Sequence, residues 1–133
     1  QDLEYWIVGS GSDEEVLELR KLATNKRVKF FIGLDDLSEI YLKAHVAALL
    51  STSDPYKDDV EGFGIAAVEA LGAGIPCLAF DSGGLKETGA SLICPYSNAQ
   101  EIANAIQTIQ WTPYNQNVNP INALKNLESI VKI

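Results

Sequence analysis

From Ile65 to Leu71 the chain reads Ile-Ala-Ala-Val-Glu-Ala-Leu, and only Glu69 is polar. A helix that is apolar on every side is normally buried, so the rest of the chain must supply layers that cover this segment. The same demand isolates Glu69. A buried carboxylate without a partner costs several kcal/mol. Glu69 must therefore reach the surface or face groups that donate hydrogen bonds, because an ionised carboxylate only accepts them. A sugar diol is one natural pair of donors. A glutamate at a helix end that points into water is the plainer alternative, and the residue alone does not decide between them.

The covering layers are legible on either side. Continuous apolar runs at 5–8, 28–32, 46–50, 75–80 and 91–93 read as strands. They alternate with helical patterns at 12–23, 36–44 and 101–110. Ser12 and Glu15 are set as a capping box. Leu37, Ile40, Tyr41 and Ala44 fall on one face of the second helix, and Ile102, Ala105, Ile106 and Ile109 form a stripe on the last. Strands that are continuous rather than alternating fit a parallel sheet covered on both faces. The expected fold is α/β, a Rossmann-like parallel sheet with helices on both faces. A chain of 133 residues suits one domain, and an apolar fraction of 47% is enough for a core. Residues 112–120 read as polar loop and 121–133 as a final amphipathic helix.

Sheets of this kind bind ligands beyond the carboxyl ends of their strands. The loop 51–64 leaves one such end, Gly33-Leu34 another, and Gly83-Gly84 a third. In the first of these, Gly62-Phe63-Gly64 leads straight into the apolar helix. The first N–H groups of a helix lack internal partners and carry the positive end of its dipole. Glycines let a ligand approach that backbone closely. The turn is thus suited to the oxygens of a phosphate or a sugar, with Glu61 overlooking the same spot.

Other signals narrow the field. A net charge of −8 would repel a nucleic-acid backbone. Cys77 and Cys94 lie in apolar runs and read as strand residues, not ligands or a disulfide framework. No run of 18 apolar residues and no signal-peptide pattern is present, and a cytoplasmic protein is the expectation. Gly9-Ser10-Gly11 imitates a dinucleotide fingerprint, but Glu14 takes the third glycine position, and Asp13, Glu14 and Glu15 would repel a pyrophosphate. His45, the only histidine, reads as structural. Asp58-Asp59-Val60-Glu61 does not match the D-x-D of metal-dependent sugar transferases of a different fold, and reads as a solvated loop, so no metal site is expected.

Taken in order, several segments resemble one family. Glu61 and Glu69, with Phe63-Gly64 between them, look like the E-x7-E motif of retaining GT-B glycosyltransferases, in glycosyltransferase family 4. Gly74-Ile75-Pro76-Cys77-Leu78-Ala79 and Ser82-Gly83-Gly84-Leu85-Lys86-Glu87 continue as in that family. Trp6-Ile7-Val8-Gly9-Ser10-Gly11 is similar to its V-G-x-G segment, Val28-Lys29-Phe30-Phe31-Ile32-Gly33 to its V-x-F-x-G segment, and Tyr41-Leu42-Lys43-Ala44-His45-Val46 to Y-x-x-A-D-V, with His45 in place of Asp. The resemblance covers roughly residues 3–110.

It implies a C-terminal, donor-binding half of a GT-B fold, residues 1–133 forming one nucleotide-sugar-binding domain. The implied function is retaining sugar transfer in polysaccharide, lipopolysaccharide or glycolipid synthesis. Glu61 would hold a hydroxyl of the donor sugar in the catalytic position. Glu69 would accept from the ribose hydroxyls. The N–H groups of Phe63, Gly64 and Ile65 would hold further hydroxyls, and Gly33 and Leu34 would form part of a base pocket. The co-substrate is a nucleotide-diphosphate sugar, with no other cofactor. The family's diphosphate-binding Arg–Lys pair and its acceptor domain, which would bind a glycan or lipid, have no counterpart here. The expectation is a chain truncated at its N-terminus and inactive alone, its full-length enzyme peripheral at the inner membrane face. The rivals are a sugar-nucleotide epimerase of the same architecture and a non-enzymatic receiver-like module. The latter needs an Asp ending its third strand, where this chain has Leu50-Ser51-Thr52-Ser53.

Overall fold

A computed structural model of the chain describes residues 3–51, 64–94 and 98–109. Glu61 and Phe63, the acidic loop before them, and the expected loop and helix at 112–133 lie outside the described residues. Two compact units are present, Gln1–Leu37 and Ser38–Ile133.

The first unit is a strand–helix–strand. Strand β1 (Tyr5–Gly9) pairs in parallel with β2 (Val28–Ile32), in register from Tyr5 opposite Val28 to Gly9 opposite Ile32. Helix α1 (Asp13–Leu22) joins them. The expected capping box is formed: Ser12 Oγ accepts from the Glu15 N–H, and the Glu15 carboxylate accepts from the Ser12 N–H at 2.8 Å. The Ser12 N–H, and after it the Ser12 hydroxyl, donate to the Glu15 carboxylate and hold it below its ordinary range. Aromatic contacts tie the unit together. Trp6 and Phe31 lie 5.0 Å apart and tilted, and the Arg20 guanidinium sits 5.0 Å over the Phe30 ring.

The second unit holds every buried apolar residue among those described. After α2 (Ser38–Lys43) come β3 (Ala47–Leu49), α3 (Ile65–Gly72), β4 (Cys77–Phe80), a 3-10 turn (Leu85–Glu87), β5 (Leu92–Cys94) and α4 (Ala99–Thr108). The three strands are parallel, in the order β3-β4-β5. All four residues of the central strand β4 are buried, as expected for a strand covered on both faces. Among the described residues the strands hydrogen-bond in two groups, β1-β2 and β3-β4-β5, all parallel as expected.

Helix α3 packs on β3 and β4 through Ala67, Val68, Ala70 and Gly72, all buried. Its apolar first turn corrects the expectation of burial all round: Ile65 is 69% exposed and Ala66 is exposed. The helix closes in a Schellman motif. The Gly74 N–H bonds Leu71 O and the Ile75 N–H bonds Ala70 O, both at 2.9 Å, with Gly74 at φ +80°. At its other end Gly64 is the N-cap at φ +73°. A Cβ there would lie 2.4 Å from Leu85 Cδ2, 3.3 Å from Thr88 Cγ2 and 3.6 Å from Leu49 Cδ2. Leu85 is fully buried, so a Cβ at position 64 fits only if the packed Leu85 side chain shifts. The close seating of α3 therefore favours glycine, on both backbone and packing grounds.

Element boundaries differ from the sequence reading by at most two residues. Pro76 has no N–H for the ladder, and β4 begins at Cys77, whose N–H bonds Ser91 Oγ at 3.1 Å. Helix α4 starts two residues earlier than expected, because Asn98 Oδ1 accepts from the N–H groups of Gln100 and Glu101.

Two outcomes test this packing. Gly64→Ala combines a left-handed backbone with overpacking and is expected to cost about 2–4 kcal/mol. Gly74→Ala has the same backbone sign but no atom within 4 Å of its Cβ, and should cost only about 1–2 kcal/mol. Urea unfolding of both variants measures the difference, and equal losses would show that Leu85 yields. Burial pushes the Cys77 thiol up to about 11, so at pH 8 only about one thiol in a thousand is thiolate. Alkylation followed by peptide mass spectrometry should find Cys77 unlabelled in the native protein and labelled in urea.

Candidate functional site

The start of α3 lies beside the end of β3, through Leu49, and beside the turn that follows β4, through Leu85 and Thr88. It therefore sits at the carboxyl edge of the three-stranded sheet, where such sheets bind ligands. The turn past β4 is itself fixed from within. Thr88, 3% exposed, donates its hydroxyl proton to Leu85 O at 2.7 Å and accepts from the Ala90 N–H at 3.3 Å.

This helix start differs from the other two whose caps are described. Ser12 caps α1 and Asn98 caps α4 with side-chain oxygens, and acids occupy both first turns. Helix α3 has no side-chain cap bond and no acid in its first turn. Its intrahelical ladder begins with the Ala67 N–H on Gly64 O at 2.9 Å, so the N–H groups of Ile65 and Ala66 come ahead of it. The positive end of the dipole is left uncomplemented by these side chains.

Glu69 is half-buried, one turn further along. Its Oε2 accepts a hydrogen bond from the Tyr41 hydroxyl at 2.9 Å. The same hydroxyl lies 3.5 Å from Ala66 O, on the same side of α3. At these lengths Glu69 is the main acceptor. Burial first, and then the bond to Glu69, push the Tyr41 hydroxyl well above the ordinary phenol value, so it is a permanent donor. Sequence reading placed Tyr41 on an apolar helix face and missed this role. The signal was available, because a phenol hydroxyl in an apolar stripe needs a partner, and Glu69 was the charge that lacked one.

Of the expected site residues, Gly64, Ile65 and Glu69 come together on α3. Gly33 and Leu34 belong to the first unit, at the carboxyl end of β2. The Gly33 N–H bonds Gly9 O at 2.9 Å with φ +67°, and Leu34 is exposed. His45 is exposed between α2 and β3. The Gly9-Ser10-Gly11 turn meets a helix start already occupied by the Ser12–Glu15 box.

A protein of Streptococcus pneumoniae serotype 4, the UDP-N-acetylglucosamine–peptide N-acetylglucosaminyltransferase GtfA subunit, is 35% identical over 83 residues, 60% of this chain and 15% of that protein. A GDP-mannose-dependent monoacylated alpha-(1-6)-phosphatidylinositol monomannoside mannosyltransferase of Corynebacterium glutamicum is 38% identical over 91 residues, 65% of this chain and 23% of that protein. The matched part of the chain thus spans under a quarter of the length of either relative. Among solved structures, Anabaena Alr3699/HepE in complex with UDP-glucose superposes at a TM-score of 0.69 with 24% identity, over 97% of this chain and 40% of that one. The same protein in complex with UDP gives a TM-score of 0.69 and 26% identity, over 96% and 35%. These likenesses agree with an α/β, Rossmann-like fold of parallel strands and helices. The sequence model of the family described as glycosyl transferases group 1 matches residues 1–125, nearly the whole chain, and the chain belongs to that family.

Proposed function

We propose that this chain is the donor-binding domain of a larger retaining glycosyltransferase of GT-B architecture, in glycosyltransferase family 4. The matched part of the chain spans under a quarter of either curated relative, and in this reading the acceptor-binding domain and the diphosphate-binding Arg–Lys pair belong to other parts of the enzyme. The observation that carries this reading is a half-buried carboxylate, Glu69, on a helix whose amino end has neither a side-chain cap nor an acid in its first turn. That combination offers one acceptor for hydroxyls and one set of donors for oxygens, within two turns of a single helix.

The two curated relatives are named for different donors, a UDP sugar and GDP-mannose. Those donors differ in base and in sugar, and share a ribose and a diphosphate. A carboxylate for ribose hydroxyls suits the shared part. In this reading Glu69 accepts from the ribose, and Glu61 holds a hydroxyl of the transferred sugar. The N–H groups of Phe63, Gly64 and Ile65 hold further oxygens, and Gly33 and Leu34 contribute to the base pocket. Held in this way, the donor is oriented for departure of its diphosphate. The reading uses no metal ion.

The acceptor would be a glycan or a lipid bound by another domain of the enzyme. The Corynebacterium relative is named for a phosphatidylinositol monomannoside. Among the described residues no helix is long and apolar enough to cross a membrane. A cytoplasmic enzyme associating peripherally with the inner membrane face fits both facts.

The two glutamates separate experimentally, because the ribose remains on the nucleoside diphosphate product and the transferred sugar does not. In the complete enzyme, Glu69→Gln should weaken nucleoside diphosphate binding roughly 10- to 100-fold through loss of a charge-assisted bond. Folding should survive, since a glutamine oxygen still accepts from Tyr41. Glu61→Gln should lower transfer and leave nucleoside diphosphate binding nearly unchanged. Calorimetric titration beside steady-state transfer rates reads both. Equal loss of diphosphate affinity in the two variants would refute the assignment.

A further inference from the structure

The Tyr41–Glu69 bond leaves the two oxygens of one carboxylate in different circumstances. Oε2 is engaged by a donor on α2, and Oε1 receives no bond from the described residues. A glutamate on a helix otherwise samples several rotamers, and a ligand that needs one of them must bear the ordering cost when it binds. Here a second element fixes the rotamer in advance. The donor is itself held, because Tyr41 is half-buried and lies across the first turns of α3, 3.5 Å from Ala66 O. A neutral hydroxyl on a carboxylate is a charge-assisted bond, which makes the restraint a strong one.

We propose that Tyr41 is a positioning residue that gives this domain its selectivity for ribonucleotides over 2′-deoxyribonucleotides. It does so by fixing Glu69 so that Oε1 meets a vicinal pair of ribose hydroxyls. This rests on the assignment of Glu69 to the ribose. A deoxyribose offers one hydroxyl fewer and gains less from an oriented carboxylate. The value of Tyr41 is therefore realised on the ribose form and largely absent on the deoxy form. Tyr41 touches neither the sugar nor the diphosphate in this scheme, and its effect should fall on binding rather than on turnover.

The test is Tyr41→Phe in the complete enzyme, titrated calorimetrically with UDP, GDP and their 2′-deoxy counterparts. Phenylalanine fills the same volume and removes only the hydroxyl. Affinity for the better-bound ribonucleoside diphosphate should fall about three- to tenfold, while that for its deoxy counterpart should change less than about twofold. KM for the donor should rise with kcat nearly constant. The Tyr41→Phe/Glu69→Gln double variant should bind no worse than Glu69→Gln alone, since the two act as one unit. Equal weakening of ribo and deoxy ligands would make Tyr41 a packing residue and overturn the proposal, as would unfolding of Tyr41→Phe. An unchanged ribo preference in Tyr41→Phe, with Glu69→Gln still abolishing it, would overturn the role of Tyr41 and leave the ribose assignment standing. If Glu69→Gln keeps the preference, the ribose assignment fails and the proposal fails with it.

Discussion

The second unit depends on how closely α3 can approach β3 and β4. Small residues make that approach possible. Ala67 and Ala70 are fully buried against the sheet, Gly72 is buried near the end of the helix, and Gly64 starts it where a Cβ would fit only if Leu85 shifted. A helix seated this deeply brings its amino end to the carboxyl edge of the strands. The functional geometry is thus a by-product of packing. Glycine at position 64 is favoured by the close approach of Leu85, and the same glycine leaves the helix start without a side chain that could cap it.

Glu69 is the exception within that helix. Its neighbours Val68 and Ala70 are buried, whereas Glu69 is only half-buried. A carboxylate in this position needs a hydrogen-bond donor in the folded state, and Tyr41 provides one from another element. The arrangement stabilises the fold and holds a polar group ready at the same time. Tyr41 engages Oε2, and no bond from the described residues reaches Oε1.

Much of this was legible in the sequence because it is carried by periodicity and local chemistry. The capping box at Ser12 and Glu15 and the parallel strands follow from residues close together in the chain. What escaped was non-local or small. Asn98 caps α4 through its side chain, yet it sits outside the apolar stripe that defined the helix. The 3-10 turn at Leu85–Glu87 is too short to show a period. Burial of α3 was overestimated at Ile65, because apolar composition cannot tell the first turn, standing at the sheet's edge, from the turns that lie over the strands. Tyr41 was grouped with Ile40 and Ala44 by its ring. Its hydroxyl finds its partner only once α2 and α3 are folded against each other, across 28 positions of sequence.

The division into two units bears on how such a domain could serve different donors. Gly64, Ile65, Glu69 and Tyr41 belong to the unit that contains the buried core. Gly33 and Leu34 belong to the unit with a two-stranded ladder and none of the buried apolar residues. In the proposed function, the first set addresses the ribose and neighbouring oxygens, which UDP and GDP sugars share. The second addresses the base, which differs between the two curated relatives. Placing the invariant recognition on closely packed elements keeps its geometry precise, since a charge-assisted bond weakens with small displacements. Leu34, exposed beyond β2, can vary without disturbing the core, whereas Gly33 at φ +67° cannot take a side chain without backbone strain. In this reading the buried helix α3 keeps the contact to the shared ribose, and the exposed end of β2 carries the part of the site that varies with the base.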